Sequence, residues 1–214
     1  MLEFDLEYNN KSLYIKEVSF RMLRNALIIT ALLIPFNNVS AGAIDFRVSS
    51  DMAEISYLSQ ASSFGYGGAD IGFGGLFNDN DDFVANASIL VSGSGAGDVQ
   101  GLHFGVGAKA YFGMLDGPKS TLDADGGALA IGAHSRYVFS GAMPVAILAE
   151  VFYAPEVTTV SDFDGLLEYR LALELEVTPS ARAYIGYRKL EVDVFDNYEY
   201  DIDDDAHIGV RFEF

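Results

Sequence analysis

The chain has 214 residues, of which 31 are acidic and 13 are basic, so its formal net charge is −18 at pH 7. Half of the residues are apolar and none is a cysteine. The lack of cysteine excludes a disulfide framework and a thiol nucleophile, and the acidic balance excludes the basic surface that nucleic-acid binding requires. The apolar fraction is too high for a disordered acidic tail, so the composition indicates a folded domain.

The longest apolar run, Ala26–Phe36, lies near the start of the chain. It is too short to cross a membrane as a helix, which takes about 20 residues. Arg21 and Arg24 precede the run, and Pro35 falls at its end. A positive segment followed by a short apolar run is typical of a secretory signal peptide.

Small residues after this run predict cleavage after Ala41, so residues 22–41 are predicted to be a cleaved signal peptide that starts at Met22. Residues 1–21 are polar and partly acidic, and we interpret them as an over-extended start of the reading frame. A genuine cytoplasmic extension before an uncleaved anchor is the alternative. Residues 42–214 are then the folded domain.

The segment Leu167–Val177 shows a pattern that repeats along this domain. Its odd-numbered residues are leucine, tyrosine and valine, and its even-numbered residues are glutamate, arginine and alanine. Such alternation with period 2 predicts a β-strand with one apolar and one polar face. The same sorting predicts ten strands, at 43–49, 52–58, 64–76, 82–93, 100–113, 126–139, 144–154, 164–177, 181–194 and 204–214.

The charges on the polar faces distinguish two kinds of barrel. A soluble barrel would turn its apolar face inward around a ligand, whereas a transmembrane barrel turns it outward to lipid. Opposite charges at high density suit a lumen in which they can pair. We therefore predict an all-β fold, a transmembrane antiparallel up-and-down β-barrel. The predicted lumen charges are Arg47, Lys109, Arg136, Glu150, Glu168, Arg170, Glu174, Glu176, Arg182 and Arg211, with Asp45, Glu54, Arg188 and Glu213 on the same faces.

The number of strands depends on the opening segment, 43–58. A switch in the parity of its apolar residues at Ser49-Ser50-Asp51 favours a hairpin and hence ten strands. A single bent strand would give the alternative, eight. The chain is expected to end on the periplasmic side, with the long acidic loops outside. A barrel of this size is roughly filled by its own side chains.

The last strand carries a further pattern. Apolar residues at alternate positions lead to a terminal aromatic residue, which resembles the assembly signal of bacterial outer-membrane barrels; the positions are Ile208, Val210, Phe212 and Phe214. The opening AIDFRVSSDMAEISYL, the glycine-rich FGYGGADIGFGG and the closing HIGVRFEF make the chain similar to the YfaZ family of small outer-membrane proteins. The resemblance implies a Gram-negative outer-membrane barrel, and implies little about activity.

Three histidines are the candidates for catalysis. His103, His134 and His207 are expected to be spread along the barrel axis, whereas a metal site or a hydrolase base would need a cluster. His134 and Ser135 are consecutive in a strand and so face opposite sides. We predict that the protein is not an enzyme.

The predicted last loop, 195–203, and the residues after it are strongly acidic. Oxygen clusters of this kind bind divalent cations, so Asp201, Asp203, Asp204 and Asp205 are candidates for weak Ca²⁺ or Mg²⁺ binding that bridges to lipopolysaccharide phosphates. None of the acidic segments matches a calcium loop at full length. The alternative is a solvated surface, and no other cofactor is expected.

The function predicted from these patterns is that of a narrow porin-like or closed outer-membrane barrel with a charged lumen. The alternative is a structural or interaction protein whose acidic outer loops bind cations, lipopolysaccharide or another partner. The expected partners are outer-membrane lipid, lipopolysaccharide and the barrel assembly machinery, with no nucleic acid among them.

Overall fold

The computed structural model describes residues 42–61, 69–94, 101–116, 123–195 and 198–214. The predicted leader, 1–41, lies outside these residues. Within them, no helix is long and apolar enough to cross a membrane. A single 3₁₀ turn, Glu156–Thr158, accompanies eleven strands. The strands are β1 (Gly42–Val48), β2 (Met52–Ala61), β3 (Ala69–Asn78), β4 (Phe83–Ser94), β5 (Leu102–Leu115), β6 (Ala124–Phe139), β7 (Val145–Ala154), β8 (Thr159–Ser161), β9 (Phe163–Thr178), β10 (Ala181–Val194) and β11 (Tyr198–Glu213).

Ten of these strands form a closed antiparallel barrel. Each pairs with its neighbour in the chain, and β1 pairs with β11 from Ala43↔Glu213 to Val48↔Ile208. The short β8 adds to the edge of β6 and leaves β7 paired directly with β9. β1 and β2 form the hairpin that the parity switch predicted. The all-β fold and the count of ten strands are confirmed, and the eight-strand alternative is wrong.

The boundary predicted for the last strand is wrong. β11 begins at Tyr198 rather than at 204, because β10 continues to Val194 and pairs with it there. A β-bulge at Ile202 lets both Ile202 and Asp203 turn inward, which breaks the period-2 pattern on which the boundary prediction depended. Most of the predicted acidic loop is therefore strand.

At one end of the barrel, the start of β1 at Gly42 lies beside the C-terminal Phe214, and their backbones exchange two hydrogen bonds. We call this the terminal end, and the opposite end, with the turns 49–51 and 79–82, the distal end. From the terminal end to the middle, apolar residues face outward and charged residues face inward. Leu173 and Ile185 are half exposed on the outer surface, while Glu174 is 3% exposed. This is the arrangement of a membrane-spanning barrel.

Near the distal end the arrangement is reversed. On β10, Leu190, Val192 and Val194 are buried inside, and the neighbouring Glu191 and Asp193 are on the other face. Acidic outer positions suit water rather than lipid, so these strand ends project beyond the apolar band. Tyr169 and Tyr187, with ring centroids 6.1 Å apart, lie where the two zones meet, as interfacial aromatic residues do.

An apolar cluster fills the interior at the distal end. We call it the distal plug; it contains Met52, Leu76, Val84, Leu115, Phe163, Leu166, Leu190, Val192, Val194, Tyr200 and Ile202. Leu76 is 1% exposed and Val192 is fully buried. These side chains come from seven strands of the barrel and pack against one another across its interior.

Candidate functional site: the charged lumen

The structure places the predicted lumen charges inside the barrel. Nine of them line one interior cavity: Arg47, Lys109, Arg136, Glu150, Glu168, Arg170, Glu174, Arg182 and Arg211. The tenth, Glu176, is half-buried on β9, two residues beyond Glu174 and opposite Arg182 on β10. The regular alternation of the strands, which brings residues i, i+2 and i+4 to one face, is what collects them there.

Arg188 is the centre of the ion-pair network and is 1% exposed. Its Nη1 donates to Oε2 of Glu54 at 2.5 Å and its Nε donates to Oδ2 of Asp203 at 2.7 Å. Glu54 also accepts a hydrogen bond from Arg47 at 3.1 Å. Glu168, 3.6 Å from Arg188, accepts hydrogen bonds from Lys109 and Tyr111. Each buried charge here has a partner of opposite sign, which offsets its desolvation.

Further ion pairs continue toward the terminal end. Arg211 Nε donates to Asp45 at 2.8 Å, and Arg136 Nε donates to Glu174 at 2.7 Å. Arg170 pairs with Glu150. At the rim, Arg182 and Glu213 pair at 3.0 Å, and both are partly exposed. The network therefore grades from buried pairs at the centre to solvated pairs at the rim.

The cavity has a volume of about 560 Å³ and two unlike walls. Most of the charged side chains come from β1, β5, β6, β7, β9, β10 and β11, and Glu54 of β2 and Asp70 of β3 complete the set. The wall formed by β2, β3 and β4 is mostly small and neutral, with Ser56, Asn86 and Ser88 over glycines of β3. A Cβ at Gly74 would come within 2.8 Å of both Ser56 and Asn86, so glycine is what lets these side chains lie against the sheet.

Beside the distal plug, a group of hydrogen bonds centred on Asp82 connects several strands; we call this group the latch. Asp82, which is fully buried in the turn between β3 and β4, accepts hydrogen bonds from Asn78 at 2.7 Å, Tyr200 at 2.9 Å and the backbone N–H of Asp116 at 2.8 Å. Asn78 also donates to the carbonyl of Ile202. Burial raises the pKa of the Asp82 carboxyl group, although the three hydrogen bonds oppose this shift. The latch joins β11 to the β3–β4 turn across the shorter β1–β2 hairpin.

We expect Asp82→Ala to lower the free energy of unfolding by about 1–3 kcal/mol, because it leaves buried donors without an acceptor. Urea unfolding of the barrel in lipid vesicles, followed by the mobility of folded protein on gels, measures this loss. Asp79→Ala, an exposed aspartate in the same turn, is the matched control and should change stability little. Equal effects of the two substitutions would show that the latch does not stabilise the barrel.

The histidines do not form a cluster. His134 lies in the cavity wall, where its Nε2 is 3.2 Å from Oγ of Ser92 on β4, across the side-chain-free Gly105 of β5. His207 is 1% exposed and packs edge-on to Tyr184. His103 lies on β5 opposite Arg136. The Ser92–His134 contact was missed because its residues come from strands that are not adjacent, and only the glycine between them lets them meet.

The four aspartates predicted to bind a cation are separated in the structure. Asp203 faces inward to Arg188, and Asp205 accepts a hydrogen bond from Ser50 at 2.8 Å. Asp201 lies 3.2 Å from Lys189, and Asp204 accepts from Tyr187. Their placement together in one loop is wrong, because they belong to β11 and alternate strand positions face opposite sides.

Other carboxylates are closer together at the distal end. Glu191, Asp193 and Glu199 each have an oxygen within 4.8 Å of the others, on strand ends that project beyond the apolar band. Such groups are common on solvated acidic surfaces. The cluster adds to the negative charge of the distal surface.

The residues of the C-terminal pattern face outward on β11. Ile208 is 59% exposed and Phe214 is 55% exposed, and Val210 and Phe212 share this face. They lie beside β1, at the seam where the first and last strands close the barrel. Their role in assembly stays a prediction.

The closed ten-strand sheet, the outward apolar band and the paired charges inside define the class of protein, a small β-barrel of the membrane-spanning type. The family comparison is more particular. The YfaZ precursor family matches residues 23–214, and the chain belongs to this family.

The solved structures that match the chain include one outer-membrane channel. The outer membrane channel DcaP of Acinetobacter baumannii has 11% sequence identity and a TM-score of 0.37, over 79% of this chain and 54% of that chain. The present chain therefore spans about half the length of that channel. No curated protein matches the chain.

Proposed function

We propose that this protein is an outer-membrane β-barrel that is closed to ion flow and keeps a charged cavity open toward the periplasm. The observation that carries the proposal is the distal plug, in which Leu76, Val84 and Val192 are at most 2% exposed. An apolar constriction without room for water is a barrier to ions. The narrow-porin alternative would need a continuous polar path through this end.

The direction of the opening follows from the terminal end of the barrel. Gly42, Phe214, Arg182 and Glu213 line the cavity, so it reaches the terminal end of the barrel. Long loops of outer-membrane barrels face outward, and the longest connections between neighbouring barrel strands, 116–123 and 155–162, belong to the opposite, distal end. The projecting acidic strand ends then face the exterior, where their charges remain hydrated.

Single-channel recording in a planar bilayer tests the closure. We expect the barrel purified from the membrane fraction to give no current steps while it migrates as a folded species on gels. A variant with Leu76, Leu166 and Leu190 changed to serine should conduct, since the constriction is then polar and wider. Discrete steps with an ion preference from the unmodified barrel would overturn the proposal in favour of a narrow porin.

A further inference from the structure

The cavity at the open end is large enough for a small ligand. Its volume of about 560 Å³ falls in the range of ligand pockets, roughly 300–1,000 Å³. The lining contains cationic and anionic side chains in nearly equal numbers, and most of them are paired with each other. A solute with one net charge would therefore meet as much repulsion as attraction, whereas a zwitterion can bind to groups of both signs.

The polar groups without a partner among the described residues indicate how such a solute would be oriented. Toward the middle of the barrel they are donors, because Arg47 and Arg170 line the cavity, are at most 7% exposed, and each has an Nε–H with no acceptor. Nearer the rim the unpaired group is an acceptor, the carboxylate of Asp70, which has no ion pair within the described part of the chain. A carboxylate would thus bind at the inner end and an ammonium at the rim.

Between these groups lies a row of neutral hydrogen-bonding side chains. Gly72 pairs with Ser88 and Gly74 pairs with Asn86, so Asp70, Ser88 and Asn86 follow one another along the barrel at two-residue intervals. Strand geometry makes each interval about 6.6 Å and the whole row about 13 Å. An extended peptide has the same rise per residue, so three residues span about 10 Å, and a hydrogen-bond distance of about 3 Å brings their far end to the last side chain of the row.

We propose that the cavity binds a short peptide of about three residues with free termini, its ammonium at Asp70 and its carboxylate toward Arg47 and Arg170. Ser88 binds a backbone amide in the middle of the peptide, and Asn86 binds at its carboxyl end. This inference rests on the proposed function in one respect, that the solute enters and leaves through the terminal end. The binding site itself depends only on the cavity.

Isothermal titration calorimetry of the barrel purified from the membrane fraction, in detergent, tests the proposal with trialanine as the probe. We expect saturable binding of trialanine, and affinity at least about tenfold lower for N-acetyl-trialanine and for trialanine amide, each of which lacks one terminal charge. No heat of binding at millimolar trialanine, or equal affinity for all three peptides, would overturn the proposal.

Asp70→Asn isolates the contact with the amino terminus. It should lower the affinity for trialanine about tenfold and leave that for N-acetyl-trialanine unchanged, because the acetylated peptide has no ammonium to bind. Asp79→Asn makes the same change in charge at the distal end and should affect neither peptide. An Asp70→Asn barrel that is folded and binds trialanine as tightly as the unmodified protein would overturn the assignment of Asp70.

Failure of the peptide site and failure of the proposed closure give different results in the two experiments. A silent barrel that fails to bind trialanine would overturn the peptide site alone. A barrel that conducts and binds trialanine would overturn the closure and keep the site, and trialanine would then reduce the current.

Discussion

Arg188→Ala is expected to lower the free energy of unfolding by about 3–5 kcal/mol, the cost of leaving buried charges without their partner. The guanidinium holds Glu54 and Asp203 through hydrogen bonds of 2.5 and 2.7 Å, and both carboxylates are at most 7% exposed. Without Arg188, Asp203 keeps no described cation within ion-pair distance. Urea unfolding and refolding in lipid vesicles gives the loss directly.

Arg182→Ala is the matched control for this prediction. Arg182 also lies in the lumen and pairs with Glu213 at 3.0 Å, but both side chains are partly solvated at the rim. A pair of this kind contributes about 0–1 kcal/mol. If the two substitutions cost the same, the central network does not stabilise the fold more than the rim does, and the burial of Arg188 would have to be reconsidered.

Leu173→Arg is expected to lower barrel stability by about 2–4 kcal/mol, the cost of an arginine on the lipid face near the middle of the membrane. Leu173 is 49% exposed and lies between Ile147 of β7 and Ile185 of β10, which are also exposed. These three neighbouring apolar side chains form an exposed stripe across the sheet, and contact with lipid is energetically more favourable for such a stripe than contact with water. The measurement is the same unfolding titration in vesicles.

Val160→Arg serves as the control in this case. Val160 is 66% exposed on β8, near the distal end, and we expect the charge to remain in water there. The substitution should therefore change the stability of the barrel by less than about 0.5 kcal/mol. A neutral Leu173→Arg would mean that the outer face of β9 does not contact lipid, and the membrane assignment would fail.

The reversal of polarity along the strands connects the fold to the proposed closure. Toward the terminal end, the long strands turn apolar residues outward and charged residues inward, as in a membrane barrel. Toward the distal end, they turn apolar residues inward, as in a soluble barrel. On β10 the change occurs between Arg188 and Leu190, which are successive residues on the inner face. The same strands thus build both the charged cavity and the distal plug beside it.

Several parts of this arrangement were predictable from the alternation alone. The even positions of Glu168 to Glu174 and the odd positions of Leu171 and Leu173 predict which side chains share a face, because strand geometry has no other period. The parity switch near Ser50 correctly predicts the β1–β2 hairpin. The leader and the assembly role of the last strand stay predictions.

Other features of the structure follow from contacts between strands and cannot be predicted from one segment alone. The run Leu190 to Val194 alternates as regularly as the membrane segments, and the sequence contains no mark of which face is inside once the strand leaves the lipid. The bulge at Ile202 cannot be recognised from residue types, so the sequence makes Asp203 a candidate for weak cation binding and gives no sign of its contact with Arg188. The Ser92–His134 contact and the row from Asp70 to Asn86 likewise depend on register across strands.

The sequence by itself determined the class of fold, favoured ten strands and predicted which charges share the inner face, because period-2 sorting is a local property of each strand. Only the tertiary structure decided which charges pair, where apolar side chains fill the interior and which polar groups in the cavity keep no partner among the described residues. Those features depend on the register between strands, and register is set by packing around the whole closed sheet rather than by any one segment.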